Sequence, residues 1–185
     1  MKNGLLALGV CIVASSASGE VLSGSKGTVQ IPLGYGIVVN EGSQIERQWI
    51  VINDEKMPAS LPEAVIPVPK LNDRSYIYTV DYDLQVSAPV SAVEIRFILF
   101  DIWGQRTKTL SATEITEMPS GSYKLSHQWR LPSENEASEH FASISYISQI
   151  RLASGDIVKA DQDAVLAEAR KFSEVVSMGD LAPDQ

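Results

Sequence analysis

From Tyr76 onward the chain repeats with a period of two. Tyr76, Tyr78, Val80, Tyr82, Leu84 and Val86 are apolar or aromatic, and Thr79, Asp81, Asp83 and Gln85 lie between them. Successive side chains of a strand point to opposite faces, so this alternation reads as a half-buried strand with one wet face. The pattern returns at Val93, Ile95, Phe97 and Leu99, then at Tyr123, Leu125, His127, Trp129 and Leu131. It returns again at Ala142, Ile144, Tyr146, Ser148, Ile150 and Leu152, which are expected to share one face. The second half of the 93–102 strand carries Ile98, Phe100 and Ile102 on its other face, so something is expected to cover that side. The Thr-rich residues 106–115 read as the return of a hairpin through 101–105, where Gly104 can take a positive φ and Asp101 can accept backbone donors.

Residues 47–53 and 157–160 bring the set to about seven strands separated by turn residues. That number and spacing predict an all-β fold, an immunoglobulin-like β-sandwich over residues 47–160, with a partly open barrel as the other arrangement. Pro58, Pro62, Pro67 and Pro69 lack the ladder donor, so their stretch is extended loop or edge rather than central strand. Residues 18–46 hold six of the twelve glycines, with serines among them, and read as flexible or irregular chain with short strands at 28–31 and 36–39.

The period changes after residue 160. Val165, Leu166, Ala169, Phe172 and Val176 share a face at helical spacing, Asp161 or Asp163 can cap the first turn, and Gly179 can stop the last. The expectation is an amphipathic C-terminal helix over 161–179, followed by a short tail at 180–185. The helix either covers the apolar second half of the 93–102 strand or docks a partner.

The N-terminus has the form of an address. Lys2 precedes the apolar run 5–14, and Ser15-Ser16-Ala17 supplies the small residues of a cleavage site, so residues 1–17 read as a secretory signal peptide; a cut after Gly19 fits the same rule. The alternative for this segment is an N-terminal core strand or a short anchor helix. Cys11 is the single cysteine, and the bulky Val10 before it argues against lipidation. A chain cut after Ala17 therefore has no thiol for a disulfide, a nucleophile or a metal, which favours a bacterial periplasmic or secreted location for a small exported domain. The formal charge of −8 over 185 residues argues against a nucleic-acid partner. No apolar run reaches the ~20 residues of an integral membrane span.

Phe97-Ile98-Leu99-Phe100-Asp101, followed by Ile102-Trp103-Gly104, resembles the signature of the FxLYD-type immunoglobulin-like domains of exported bacterial proteins. Phe100 stands in the tyrosine position. Met118-Pro119-Ser120-Gly121 resembles the turn that follows the returning strand in that family. The resemblance covers roughly residues 76–131 and implies a sandwich; the family carries no assigned catalytic residues, so it transfers none.

The chemistry-bearing residues are sparse. His127 shares a strand face with Leu125 and Trp129 and reads as a satisfied sheet histidine, while His140 follows Glu139 in a polar loop. Two distant histidines offer neither a nucleophilic triad nor a zinc site. Asp81 and Asp83 project from one strand face, Asp161 and Asp163 flank the helix start, and Glu134, Glu136 and Glu139 make an acidic loop. A solvated face, a cap and a solvated loop account for them. Trp103 at a hairpin tip is a candidate binding anchor. No catalytic residue, metal ligand or cofactor is expected. The expected function is an exported, non-catalytic binding or assembly module acting through protein–protein contacts in the cell envelope, with Trp103, Phe100, Ile98 and Phe172 as its candidate binding residues. The alternative is a small-molecule or glycan-binding envelope enzyme using the Asp81/Asp83 face.

Overall fold

The structure, a computed structural model, describes residues 12–23, 44–66, 70–72, 75–131 and 141–184. Its strands are β1 (Ile12–Ser23), β2 (Gln44–Asp54), β3 (Ala59–Val65), β4 (Lys70–Asn72), β5 (Ser75–Val86), β6 (Val90–Phe100), β7 (Arg106–Glu114), β8 (Gly121–Leu131), β9 (Ala142–Leu152) and β10 (Ile157–Lys159). The helix α1 spans Gln162–Phe172, and a short 3₁₀ helix spans Met178–Leu181.

Two sheets face each other. The larger has six strands in the order β1-β2-β9-β6-β7, with β10 also on β9, and the smaller has four, with β3, β4 and β8 all paired to β5. Pairing is antiparallel except between β2 and β9, which run parallel from Gln48 opposite Ala142 to Ile52 opposite Tyr146. The alternation read from Tyr76 holds in β5: Tyr78, Val80, Tyr82, Leu84 and Val86 are buried while Asp81 and Gln85 are exposed. Their inner face meets Val93, Ile95, Phe97 and Leu99 of β6 and Leu110 and Ala112 of β7 in the first core.

Parity fails in β9, for a definable reason. Glu94 pairs with Gln149 but Ile95 pairs with Ile147, so Ser148 is an extra residue in the ladder. Such a bulge shifts every later side chain to the opposite face. Ile144 and Tyr146 therefore lie in one core, and Ile147 and Ile150 in the other. The single shared face expected for 142–152 is corrected accordingly. The bulge is fastened by the Ser148 hydroxyl, which donates to Glu94 Oε1 at 2.8 Å.

The second core explains the doubly apolar half of β6. Ile98 and Phe100 point away from the first core and, with Ile52, Ile144 and Tyr146, are covered by Val165, Leu166 and Ala169 of α1 and by Val176 and Leu181 beyond it. The large sheet is thus buried on both faces, and the molecule is layered as small sheet, large sheet, helix. Asp161 caps α1, accepting from Ala164 N at 3.2 Å. The helix ends earlier than Gly179: Ser173 is extended, its N–H closes onto Ala169 O, and its hydroxyl donates to Gly104 O at 2.8 Å. Val176 reaches the second core from outside the helix.

The short tail expected at 180–185 forms a clasp through Asp184. Asp184 N donates to Thr109 O, and Thr109 N donates to Asp184 Oδ2 at 2.6 Å, so the tail covers the outer side of β7. Arg106 bonds Asp184 at 2.6 Å and lies 3.3 Å from Asp180. Arg96 and Tyr146 both donate to Leu181 O.

Three strands lie outside the expected seven. The proline stretch contributes β3, which is an edge as expected, with exposed Pro62 in the register break between Ser60 and Glu63. β4 adds a short pair to β5. β1 occupies 12–23, where a signal peptide and irregular chain were expected, and the irregular segment is also shortened at its other end because β2 begins at Gln44. The 28–31 and 36–39 segments, Glu134, Glu136, Glu139 and His140 lie outside the described residues.

Candidate functional site

The most exposed large aromatic among the described residues is Trp103, at 79%. It sits in the turn that joins β6 to β7, and that turn is built to hold still. Asp101 Oδ1 accepts from Trp103 N at 2.9 Å and from Gln105 N at 2.8 Å, while Asp101 N donates to Gln105 O. Gly104 takes φ +74°, the left-handed region that side chains resist. The Ser173 hydroxyl on Gly104 O ties the turn to the end of α1. A backbone held in this way loses little further freedom on binding.

Beside Trp103 lies a depression of about 400 Å³ walled by Asp101, Ile102, Phe141, Phe172 and Gln48. Ile102 is 39% exposed, and Phe172 is half-buried, its ring meeting Phe100 edge-on at 5.1 Å. Phe141 is placed by its backbone: its N–H donates to Phe100 O and its carbonyl accepts from Gln48 N, bridging the ends of β6 and β2. The wall mixes apolar rings with polar surface in about equal parts, and one carboxylate and one amide can orient a partner.

Of the four expected binding residues, Trp103 and Phe172 line this depression. Ile98 and Phe100 do not; both are fully buried under α1 and serve the second core. Phe141 and Gln48 were not legible as members. They come from segments far apart in sequence that meet only because β2 and β9 run parallel.

The other polar groupings have structural roles. His127 stacks on Tyr82 and lies between the Tyr82 hydroxyl, 3.1 Å from Nδ1, and Glu114 Oε1, 3.5 Å from Nε2. Burial, with the nearby Glu114 charge adding to it, pushes the Tyr82 hydroxyl well above the usual phenol range. Tyr82 therefore stays protonated, and its hydroxyl shares a hydrogen bond with Nδ1 while Nε2 faces Glu114. Glu114 arrives from β7, in the opposite sheet, so the three groups fasten the sheets together. Glu94 is desolvated, but bonds from Arg96, Ser148 and Gln149 outweigh this and hold its carboxyl below the usual range. Ser143 and Ser145 face the interior opposite Leu99 and Phe97, and their hydroxyls have no hydrogen-bond partner among the described residues.

Asp81 and Asp83 line a second open depression of about 400 Å³ on the outer face of the small sheet, with Glu63, Lys124 and Ser126. Glu63 stands directly across from Asp83 on β3, a neighbour set by strand register and not by sequence spacing. Lys124 Nζ lies 3.9 Å from Asp83, and both side chains are well solvated. Among the described residues no group of histidines, cysteines and carboxylates is arranged to hold a metal ion, and no helix is long and apolar enough to cross a membrane.

Comparison of the sequence with known protein families and with curated proteins finds no match.

Proposed function

We infer that this chain is an exported, non-catalytic binding module of the bacterial cell envelope, an immunoglobulin-like sandwich with a C-terminal helix of FxLYD type. It acts through protein–protein contact at the end that carries Trp103. The observation that carries the reading is Trp103 itself. A residue that would bury a large ring is held almost wholly in water, on a turn immobilised by Asp101, Gly104 and Ser173. Trp anchors flanked by apolar rims are where binding energy concentrates in protein interfaces. The occluding contacts of Ile102, Phe141 and Phe172 supply such a rim. Export is supported by the residues of the leader: one positive charge, an apolar run and small residues before the cut.

The test is site-specific photocrosslinking in cells at position 103, with position 128 on the exposed face of β8 as reference. A discrete adduct from 103 that is absent from 128 is expected. Its purified partner should bind Trp103→Ala at least about tenfold more weakly, as truncating a central anchor removes more than ~1.4 kcal/mol. Identical adducts from both positions would refute the reading.

A further inference from the structure

We propose that the outer edge of β2, along residues 49–54, is a strand-acceptor site that is opened by removal of the export segment and filled by an extended segment donated by a different protein. The inference rests on the export reading above. It concerns a different surface from the Trp103 end.

In the structure the site is filled by the chain's own N-terminus. β1 lies antiparallel on β2, with Ile12 opposite Asp54 and Ala17 opposite Trp49. The ladder then breaks between Ala17 and Glu20 and resumes with Glu20 opposite Arg47. The expected cleavage positions, after Ala17 or Gly19, fall within that break. Cleavage there removes the first half of β1 and leaves the second half on residues 44–47. The new N-terminus then sits at the near end of the vacated edge, and the rest of the chain runs away from it. No residue before the cut remains to refill the edge, and the proposed occupant is a strand from a different protein.

The edge stays in place without β1, because other groups hold it. β2 pairs along its opposite side with β9. Trp49 Nε1 donates to Ile66 O at 3.2 Å. The Asn53 amide bonds both backbone groups of Leu61, donating at 2.9 Å and accepting at 2.8 Å. Asp54 accepts from Asp161 N, at the start of α1. A vacated edge thus keeps its row of backbone donors and acceptors in strand geometry, which lowers the cost of binding a new strand. An open edge of this kind is also a template for unwanted pairing, so a dedicated occupant is expected.

The departing segment shows what fits. Residues 12–17 are Ile, Val, Ala, Ser, Ser and Ala, without charge or proline, and they run antiparallel to β2. The donated segment is accordingly an uncharged, extended run of about six small and β-branched residues, held mainly by backbone hydrogen bonds.

The experiment uses the protein recovered after export and a synthetic peptide with the sequence of residues 12–23. Intact mass is measured first, and a loss of residues 1–17 or 1–19 is expected. Hydrogen exchange is then followed at residues 49–54 with and without peptide. Alternate amides are expected to slow by about tenfold or more on adding peptide. The same peptide with Ala14→Pro, which lacks a ladder donor, should have no effect. The Trp103→Ala chain should respond like the unaltered one. A chain that stays in the cytoplasm with residues 12–17 intact would overturn the export reading and this inference with it, whereas an exported chain that retains residues 12–17 would overturn this inference alone. Loss of those residues without peptide uptake would overturn this inference alone. So would a dimer whose residues 49–54 exchange slowly without peptide, because a second copy would then be the occupant.

Discussion

Ser143 and Ser145 are the two polar groups that the core leaves unpaired among the described residues. A buried hydroxyl without a partner forfeits its water hydrogen bonds and receives nothing in return. Ser143→Ala and Ser145→Ala are therefore expected to be neutral or to stabilise by up to ~1 kcal/mol, where a typical buried side-chain truncation destabilises. Urea unfolding measures this, and a loss of stability would reveal an unseen partner. Trp103 gives the opposite contrast: at 79% exposure its truncation should change folding stability by less than ~0.5 kcal/mol while removing the partner contact. Gly104→Ala, which places a Cβ on a residue at φ +74°, should cost about 1 kcal/mol and loosen the turn that presents Trp103.

Among elements, the C-terminal clasp depends most on charge. Bonds from Ser177, against a smaller cost of burial, lower the Asp180 pKa below its ordinary 3.8. At Asp184 burial opposes ionisation, but Arg106, the Thr109 N–H and Lys108 outweigh it and lower that carboxyl too. A carboxylate whose pKa is lower folded than unfolded stabilises the fold above its unfolded pKa, and that contribution is lost as pH falls. The clasp is thus intact near neutrality and weakens below about pH 4, where unfolded carboxyls take up protons. Acid unfolding of the Asp180→Asn, Asp184→Asn chain should start from lower stability at pH 7 and depend less on pH between about 5 and 2 than the unaltered chain. Parallel pH curves would show that the clasp contributes nothing. Asp184 also blunts an edge: its side chain and backbone take the Thr109 groups that would otherwise invite another strand.

At the scale of the whole molecule, one sheet serves two cores. β6 and β9 are buried on both faces, so damage to either core is transmitted through the strands they share. Ile95→Ala, in the core between the sheets, and Ile144→Ala, in the core under α1, should each cost about 2–5 kcal/mol. Both variants should unfold in a single transition observed alike by tryptophan fluorescence and by circular dichroism, since neither core survives without the large sheet. A separate early transition in Ile144→Ala would mean that the helix layer folds independently. The amides of β6 and β9 should be the slowest to exchange.

The inner faces of β5 and β6 were legible residue by residue, because their period of two follows from backbone geometry alone, whereas β9 kept it only as far as the Ser148 bulge. The helix and its Asp161 cap were legible for the same kind of reason, and the uncovered apolar half of β6 already announced a covering layer. Local sequence carries no record of register, and that is where the reading stopped. The Ser148 bulge, the meeting of Glu63 with Asp83, the link from His127 to Glu114 and the approach of Phe141 and Gln48 to Trp103 all depend on which strands become neighbours. Parity tells a side chain which face it takes, but only the closing of two sheets and a helix over one shared sheet decides what it finds there. That is why, of the four candidate binding residues, Ile98 and Phe100 became core while Trp103 kept most of its surface in water.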